Sequence, residues 1–173
     1  MYINGLGYCA PERVLDNEAL SAIIDTSDEW IRTRTGISAR RLAAEGQDCS
    51  DLATEAARRA IAAAKIPLER ITHVIVGTVS GDAAFPATAS LVQSKLGIAD
   101  AMSFDLGAAC AGFLYGMEVA RGLLAVTPGA TILLVGAETL SRRVDWQDRA
   151  TCVLFGDGAG AVVLSADASA PAG

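Results

Sequence analysis

Apolar runs rich in branched residues alternate along this chain with alanine-rich stretches of helical period, and that alternation constrains the fold more than any other feature. Strands are expected at Tyr2–Tyr8, Ile71–Val76, Met102–Leu106, Thr131–Val135 and Ala161–Leu164. The last two are unbroken apolar runs, as in strands covered on both faces by helices. The fold class that follows is α/β, a mixed and mostly parallel sheet with helices on both faces, in three αβα layers. At 173 residues, 51% hydrophobic and 20% charged, the chain is sized for one domain with a real core, which excludes disorder and collagen-like structure.

Helix boundaries are written in local chemistry. Asp16 or Asn17 caps a helix carrying Leu20, Ile23 and Ile24, and Ser27 starts a second short helix closed by Gly36. Ser50 is expected to cap a long helix to Ala64, Pro86 to open one ending at Gly97, and Cys110–Val126 to form a buried helix. The small, polar tail reads as a linker over 167–173 after a domain spanning 1–166.

Twenty acidic against fourteen basic side chains leave a net charge of -6, which argues against nucleic-acid binding by phosphate neutralisation. The start has no cationic, apolar leader, and charged, Gly or Pro positions interrupt each apolar run, so no membrane segment is expected and a soluble, cytoplasmic protein is. Four cysteines without a CxxC pair and a single histidine indicate neither a metal site nor a disulfide framework. The run Gly156-Asp157-Gly158-Ala159-Gly160 is not a dinucleotide loop, since a strand rather than a helix follows it; a tight turn near a site explains it better. His73, inside an apolar strand, reads as structural.

One cysteine stands out. In Leu106-Gly107-Ala108-Ala109-Cys110-Ala111-Gly112-Phe113 a short strand passes through small residues into a helix, with the thiol at the turn. A side chain at a helix N-terminus feels the positive end of the dipole and unpaired N–H groups, which favour a thiolate and bind an oxyanion. Acyl transfer through a thioester follows from that placement; the alternative is that Cys110 is a small buried hydrophobe, as most free cysteines are.

Asp25-Thr26-Ser27-Asp28-Glu29-Trp30-Ile31, Thr33-Arg34-Thr35-Gly36-Ile37, Ala84-Phe85-Pro86, Ala108-Ala109-Cys110-Ala111-Gly112-Phe113 and Phe155-Gly156-Asp157-Gly158-Ala159-Gly160-Ala161 together resemble the N-terminal half of β-ketoacyl-acyl-carrier-protein synthase III, a condensing enzyme of the thiolase superfamily. The resemblance implies a thiolase-like half with Cys110 as nucleophile. It accepts a starter acyl group, expected to be acetyl, from acyl-CoA and passes it to the carbanion of decarboxylated malonyl-acyl-carrier protein, so initiating fatty-acid synthesis.

It further implies that Trp30 and Arg149 stack on the CoA adenine while Thr26 and Arg34 hold its nucleotide end. Phe85 bounds the acyl pocket of a partner subunit in a homodimer, and Phe155 lies near the acyl channel. Acyl-CoA is a substrate, and no cofactor or metal is implied. Read without the resemblance, Trp30 is a packing anchor, Arg149 a solvated charge, and Phe85 and Phe155 core aromatics.

The family's decarboxylating His and Asn have no counterpart here, so the chain is expected to be half an enzyme, inactive alone in condensation and with an uncovered apolar face. Arg40 and Arg41 are candidates for docking acidic carrier protein, though solvated charges are the plainer reading. A related thiolase-fold acyltransferase of secondary metabolism, a CoA-ester binder and an inert fragment are the alternatives.

Overall fold

The computed structural model describes residues 1–167; the expected linker at 167–173 lies, apart from Asp167, outside the described residues. The elements run β1 (Tyr2–Cys9), β2 (Arg13–Asp16), α1 (Asn17–Ser21), α2 (Asp28–Thr35), β3 (Ala39–Leu42), α3 (Cys49–Ala64), β4 (His73–Gly77), α4 (Thr88–Leu96), β5 (Met102–Leu106), α5 (Gly112–Val126), β6 (Thr131–Thr139), α6 (Arg149–Cys152) and β7 (Asp157–Ser165). Five strands form one sheet in the order β1-β7-β6-β4-β5. The sheet is mixed, as expected. Parallel pairing joins β4 to β5 and to β6, while β7 runs antiparallel to both β6 and β1, so the parallel share is two junctions of four.

Strand periodicity sorts the core into two layers. Val74, Val76, Leu133, Val135 and Val163 face α3 and α4 on one side. Their neighbours Ile75, Ile132, Leu134, Val162 and Leu164 meet Ala120 and Leu124 of α5 on the other. Helices therefore cover both faces, in three layers. A third cluster, Leu15, Leu20, Ile31, Leu42, Cys152 and Val153, lies under a cap built from the β2–β3 hairpin, α1, α2 and α6.

Small residues let the layers touch backbone to backbone. A Cβ on Gly7 would lie 2.2 Å from the Ala56 carbonyl oxygen, and one on Gly5 2.2 Å from that of Ala60. On the opposite face α5 buries only Gly112, Gly116, Ala120 and Leu124, a stripe of every fourth residue. The expected buried helix is thus a surface helix with one packed stripe. Leu114 (68% exposed), Tyr115 and Val126 point away from the sheet, so the apolar face expected to be open is present. The stretch Ala109–Val126 is also long and apolar enough, by length and composition, to cross a membrane, although Gly112, Gly116 and Gly122 and the Glu118–Arg121 ion pair interrupt it.

Several boundaries move for identifiable reasons. α1 stops at Ser21, leaving Ile23 exposed. α3 starts after Asp48, whose N–H is taken by the Asp51 carboxylate at 2.8 Å, while Ser50 instead donates to Asp82. α4 starts at Thr88 rather than Pro86 because Asp105 of β5 reaches across to accept the N–H groups of Thr88 (2.7 Å) and Ala89 (2.8 Å). The Gly156–Gly160 run is not a turn: Asp157 begins β7, and Gly158 and Gly160 are paired within the sheet. Asp157, buried, accepts from Ala43 N at 2.7 Å, Ser141 N at 2.8 Å and Ser141 Oγ at 2.5 Å, fastening the cap to the sheet.

Two outcomes follow. Gly7→Val drives a side chain into the α3 backbone and lowers stability by about 1–3 kcal/mol or more, read from the urea midpoint. Asp157→Ala leaves half-buried donors without their acceptor and costs about 1–3 kcal/mol in the same measurement.

Candidate functional site

Parallel β4 and β5 end side by side, with Gly77 paired to Leu106 and the Thr78 N–H donating to the Leu106 carbonyl at 3.2 Å. From Leu106 the chain passes through Gly107 and Ala108 into a 3-10 turn, Ala109–Ala111, and then α5. Gly112 lies directly over Gly77, where a Cβ on Gly77 would come within 3.0 Å of the Gly112 carbonyl carbon. This contact seats the start of a fifteen-residue helix against the sheet end. Ala109 is held at φ 45°, a left-handed conformation that costs a non-glycine residue roughly 1–2 kcal/mol, and Cys110 follows it with an exposed side chain. A strained turn presenting a thiol to solvent ahead of a helix is a geometry suited to covalent nucleophilic chemistry.

The remaining cysteines differ in kind. Cys49 is buried beside Thr78 and burial pushes its thiol up to about 12; burial also raises Cys152, which is buried, and Cys9, which is half-buried. Thiolate character is disfavoured at all three. His73 occupies the opposite end of β4 from Gly77, roughly 13 Å along the strand at about 3.3 Å per residue. It is buried, its Nδ1 lies 2.8 Å from Thr72 Oγ1, and burial draws its pKa down. It cannot reach Cys110.

Behind the nucleophile turn, Glu138 at the end of β6 accepts from Val79 N at 3.0 Å, Thr78 Oγ1 at 3.3 Å and Ser80 Oγ. It thereby fixes the segment after β4. These bonds tie the end of β6 to the loop that follows β4.

A second constellation lies on the cap. Ser27 caps α2 by accepting from the Trp30 N–H at 3.1 Å, and Gly36 closes the helix at φ 75°. Trp30 and Arg34 thus share a face one turn apart, and the Arg34 guanidinium sits 4.4 Å from the indole centroid. Arg149, 119 positions further along the chain at the start of α6, places its guanidinium 4.8 Å from the same ring and donates to the Asp25 carbonyl at 3.0 Å. Thr26 follows Asp25, and its Oγ1 is buried with no hydrogen-bond partner. Trp30, Arg34 and Arg149 are therefore brought together, two cations beside one indole ring, with Thr26 next in the chain to the Asp25 carbonyl that Arg149 holds. An indole flanked by guanidinium groups suits a flat, anionic ligand such as a nucleotide.

Phe85 takes no part in that cluster and is 89% exposed on the loop between β4 and α4, which excludes the core-aromatic reading. Phe155 is half-buried immediately before β7. Arg40 is not a docking charge: it is 5% exposed and donates to Leu15 O, Asn17 Oδ1 and Val153 O. Arg41 donates to the carbonyls of Pro11 and Glu12. No group of three or more His, Cys, Asp or Glu side chains with metal-binding geometry occurs among the described residues.

Residues 104–172 match the family 3-oxoacyl-[acyl-carrier-protein (ACP)] synthase III. The chain is 53% identical over 163 residues to the β-ketoacyl-[acyl-carrier-protein] synthase III of Oleidesulfovibrio alaskensis, covering 94% of this chain and 49% of that protein. It is 53% identical over 171 residues to that of Nitratidesulfovibrio vulgaris, covering 99% and 52%. The chain spans about half the length of the curated relatives it matches. Among solved structures, 3-oxoacyl-[acyl-carrier-protein] synthase III of Aquifex aeolicus superposes with a TM-score of 0.93 at 45% identity over 96% of this chain and 54% of that one. OleA of Xanthomonas campestris superposes at 0.82 with 30% identity over 93% and 54%. The strained cysteine turn and the Trp30 cluster thus sit on a thiolase-like αβα fold that is similar, over nearly the whole of this chain, to about half of the β-ketoacyl-[acyl-carrier-protein] synthase III relatives.

Proposed function

We propose that this chain forms the acyl-accepting half of a synthase III that joins a starter acyl-CoA, acetyl-CoA foremost, to malonyl-acyl-carrier protein and so begins fatty-acid synthesis. The observation that carries the proposal is the exposed Cys110 on its left-handed turn at the head of α5. Identity of 45% to the solved synthase III of Aquifex aeolicus, against 35% to the priming β-ketosynthase of the R1128 polyketide biosynthetic pathway, favours this reading over a secondary-metabolic acyltransferase.

The Cys110 sulfur attacks the thioester carbonyl of acyl-CoA. The tetrahedral oxyanion collapses, the C–S bond to CoA breaks and CoA leaves as its thiolate, with the acyl group now on Cys110. Malonyl-acyl-carrier protein then loses carbon dioxide, and the resulting carbanion attacks the acyl-cysteine carbonyl and returns the sulfur to its free form. Donors are required for the developing enolate. With His73 buried at the wrong end of β4, and both asparagines engaged, Asn4 to Ser165 and Asn17 to Asp28 and Ile37, the family's His and Asn would come from outside this sequence. We assign the nucleotide end of CoA to Thr26, Trp30, Arg34 and Arg149. Phe155 is assigned to the acyl channel, and Phe85 to the acyl pocket of a second subunit in a homodimer. The reaction needs no cofactor, and the cytoplasm is its proposed location.

Incubation with acetyl-CoA followed by intact and peptide mass spectrometry is expected to show one acetyl group, on Cys110. No adduct, or an adduct that persists in Cys110→Ser, overturns the assignment. With limiting iodoacetamide at neutral pH, Cys110 is expected to be the one rapidly labelled thiol, Cys49 and Cys152 reacting only on unfolding. Trp30→Ala is expected to weaken CoA binding by about 1–3 kcal/mol, the scale of one base-stacking contact, by calorimetry.

A further inference from the structure

Arg40 and Asn17 are 5% and 1% exposed, and their bonds reach both helices that carry Trp30, Arg34 and Arg149. The Asn17 side-chain amide donates one hydrogen to Asp28 Oδ1 and the other to Ile37 O, both at 2.8 Å. Asp28 is the first residue of α2, and Ile37 directly follows its Gly36 cap, so one amide holds both ends of the helix bearing Trp30 and Arg34. The Asn17 carbonyl oxygen in turn accepts from Arg40 Nη2 at 2.9 Å. The same Nη2 donates to Val153 O at 3.2 Å, just past the end of α6, which bears Arg149, while Nη1 donates to Leu15 O of β2 at 3.2 Å. All bonding groups of the Asn17 side chain are used.

We infer that Arg40, acting through Asn17, is the positioning residue of the nucleotide cluster, setting the register between α2 and α6 so that Trp30, Arg34 and Arg149 meet around one ring. The chemistry of the pair argues for this role. Arg40 is a buried cation whose three acceptors are neutral oxygens, and the desolvation of such a charge makes it a poor choice for stability alone. A planar guanidinium with its hydrogens in a fixed fork relates the directions of three carbonyl acceptors, which a lysine ammonium, a single point on a flexible stem, does not. Gly156 belongs to the same arrangement, since a Cβ there would lie 3.0 Å from Arg40 Cβ and displace the stem.

The inference rests on the reading of the Trp30 cluster as the nucleotide subsite, and its test separates the two. CoA and pantetheine, which lacks the nucleotide, are titrated into the wild-type chain, Trp30→Ala, Arg40→Lys and Asn17→Ala. The Trp30 indole N–H resonance, assigned by its loss in Trp30→Phe, is followed in each folded variant without ligand. Arg40→Lys and Asn17→Ala are expected to shift that resonance and to weaken CoA on the order of tenfold, the scale of contacts that orient a binding group from behind. Pantetheine affinity and the rate of Cys110 alkylation by iodoacetamide are expected to stay unchanged. An unmoved indole resonance, or CoA affinity lost only in step with pantetheine affinity and Cys110 alkylation, overturns the positioning role. A wild-type chain that does not bind CoA, or binds it equally well as Trp30→Ala, overturns the nucleotide reading instead, and the indole resonance alone then decides what Arg40 does.

Discussion

Helices lie on this sheet at backbone distance because glycine occupies the crossing points. Gly5 and Gly7 of β1 admit α3, Gly77 admits the first residue of α5, and Gly116 lets α5 settle on Leu134. Each of these contacts forgoes the apolar area of a side chain and gains closeness, and closeness is what the nucleophile turn needs. With Gly112 seated on Gly77, the five residues from Leu106 to Cys110 have little slack, and the left-handed Ala109 is the result of closing that connection. The exposed position of Cys110 therefore derives from interlayer packing and not from any interaction of its own side chain.

Polar ties then fix what the glycines bring close. Asp105 holds the start of α4, Glu138 the segment after β4, and Asp157 the junction of sheet and cap. In each, a carboxylate on a strand accepts backbone N–H groups of a neighbouring segment, so the sheet acts as the reference frame for its loops. The cap follows another rule: its internal ties run through Asn17 and Arg40, and it meets the sheet at Asp157 and Gly156. Two sites thus arise on two supports, a thiol at the sheet end and an aromatic clamp on the cap.

The open face of α5 belongs to the same geometry. A helix that packs through a stripe of Gly, Gly, Ala and Leu sits close to the sheet along one narrow line, and Leu114, Tyr115 and Val126 are left outward. The same small stripe explains why the helix read as buried from hydrophobicity: an apolar composition all round satisfies that expectation whichever face is covered.

The alternation of apolar runs and alanine-rich stretches was enough to place all five sheet strands, α2 through its Ser27 and Gly36 caps, and the cysteine at a strand-to-helix turn, because period, capping and turn chemistry are local properties of consecutive residues. The β2–β3 hairpin escaped notice since its four-residue strands carry three arginines, one of them buried, and so break the alternation that marks a strand. The start of α4 differs from expectation because its acceptor comes from a strand seventeen residues away, whereas α3 is capped by the local pair Asp48 and Asp51, Ser50 being drawn off to Asp82. Trp30, Arg34 and Arg149 were singled out through resemblance alone; nothing local marks an arginine 119 positions from a tryptophan as its neighbour. Only the folded chain decides that meeting, as it decides which face of α5 is covered and what Arg40 holds, for these depend on distances between segments that sequence order does not encode.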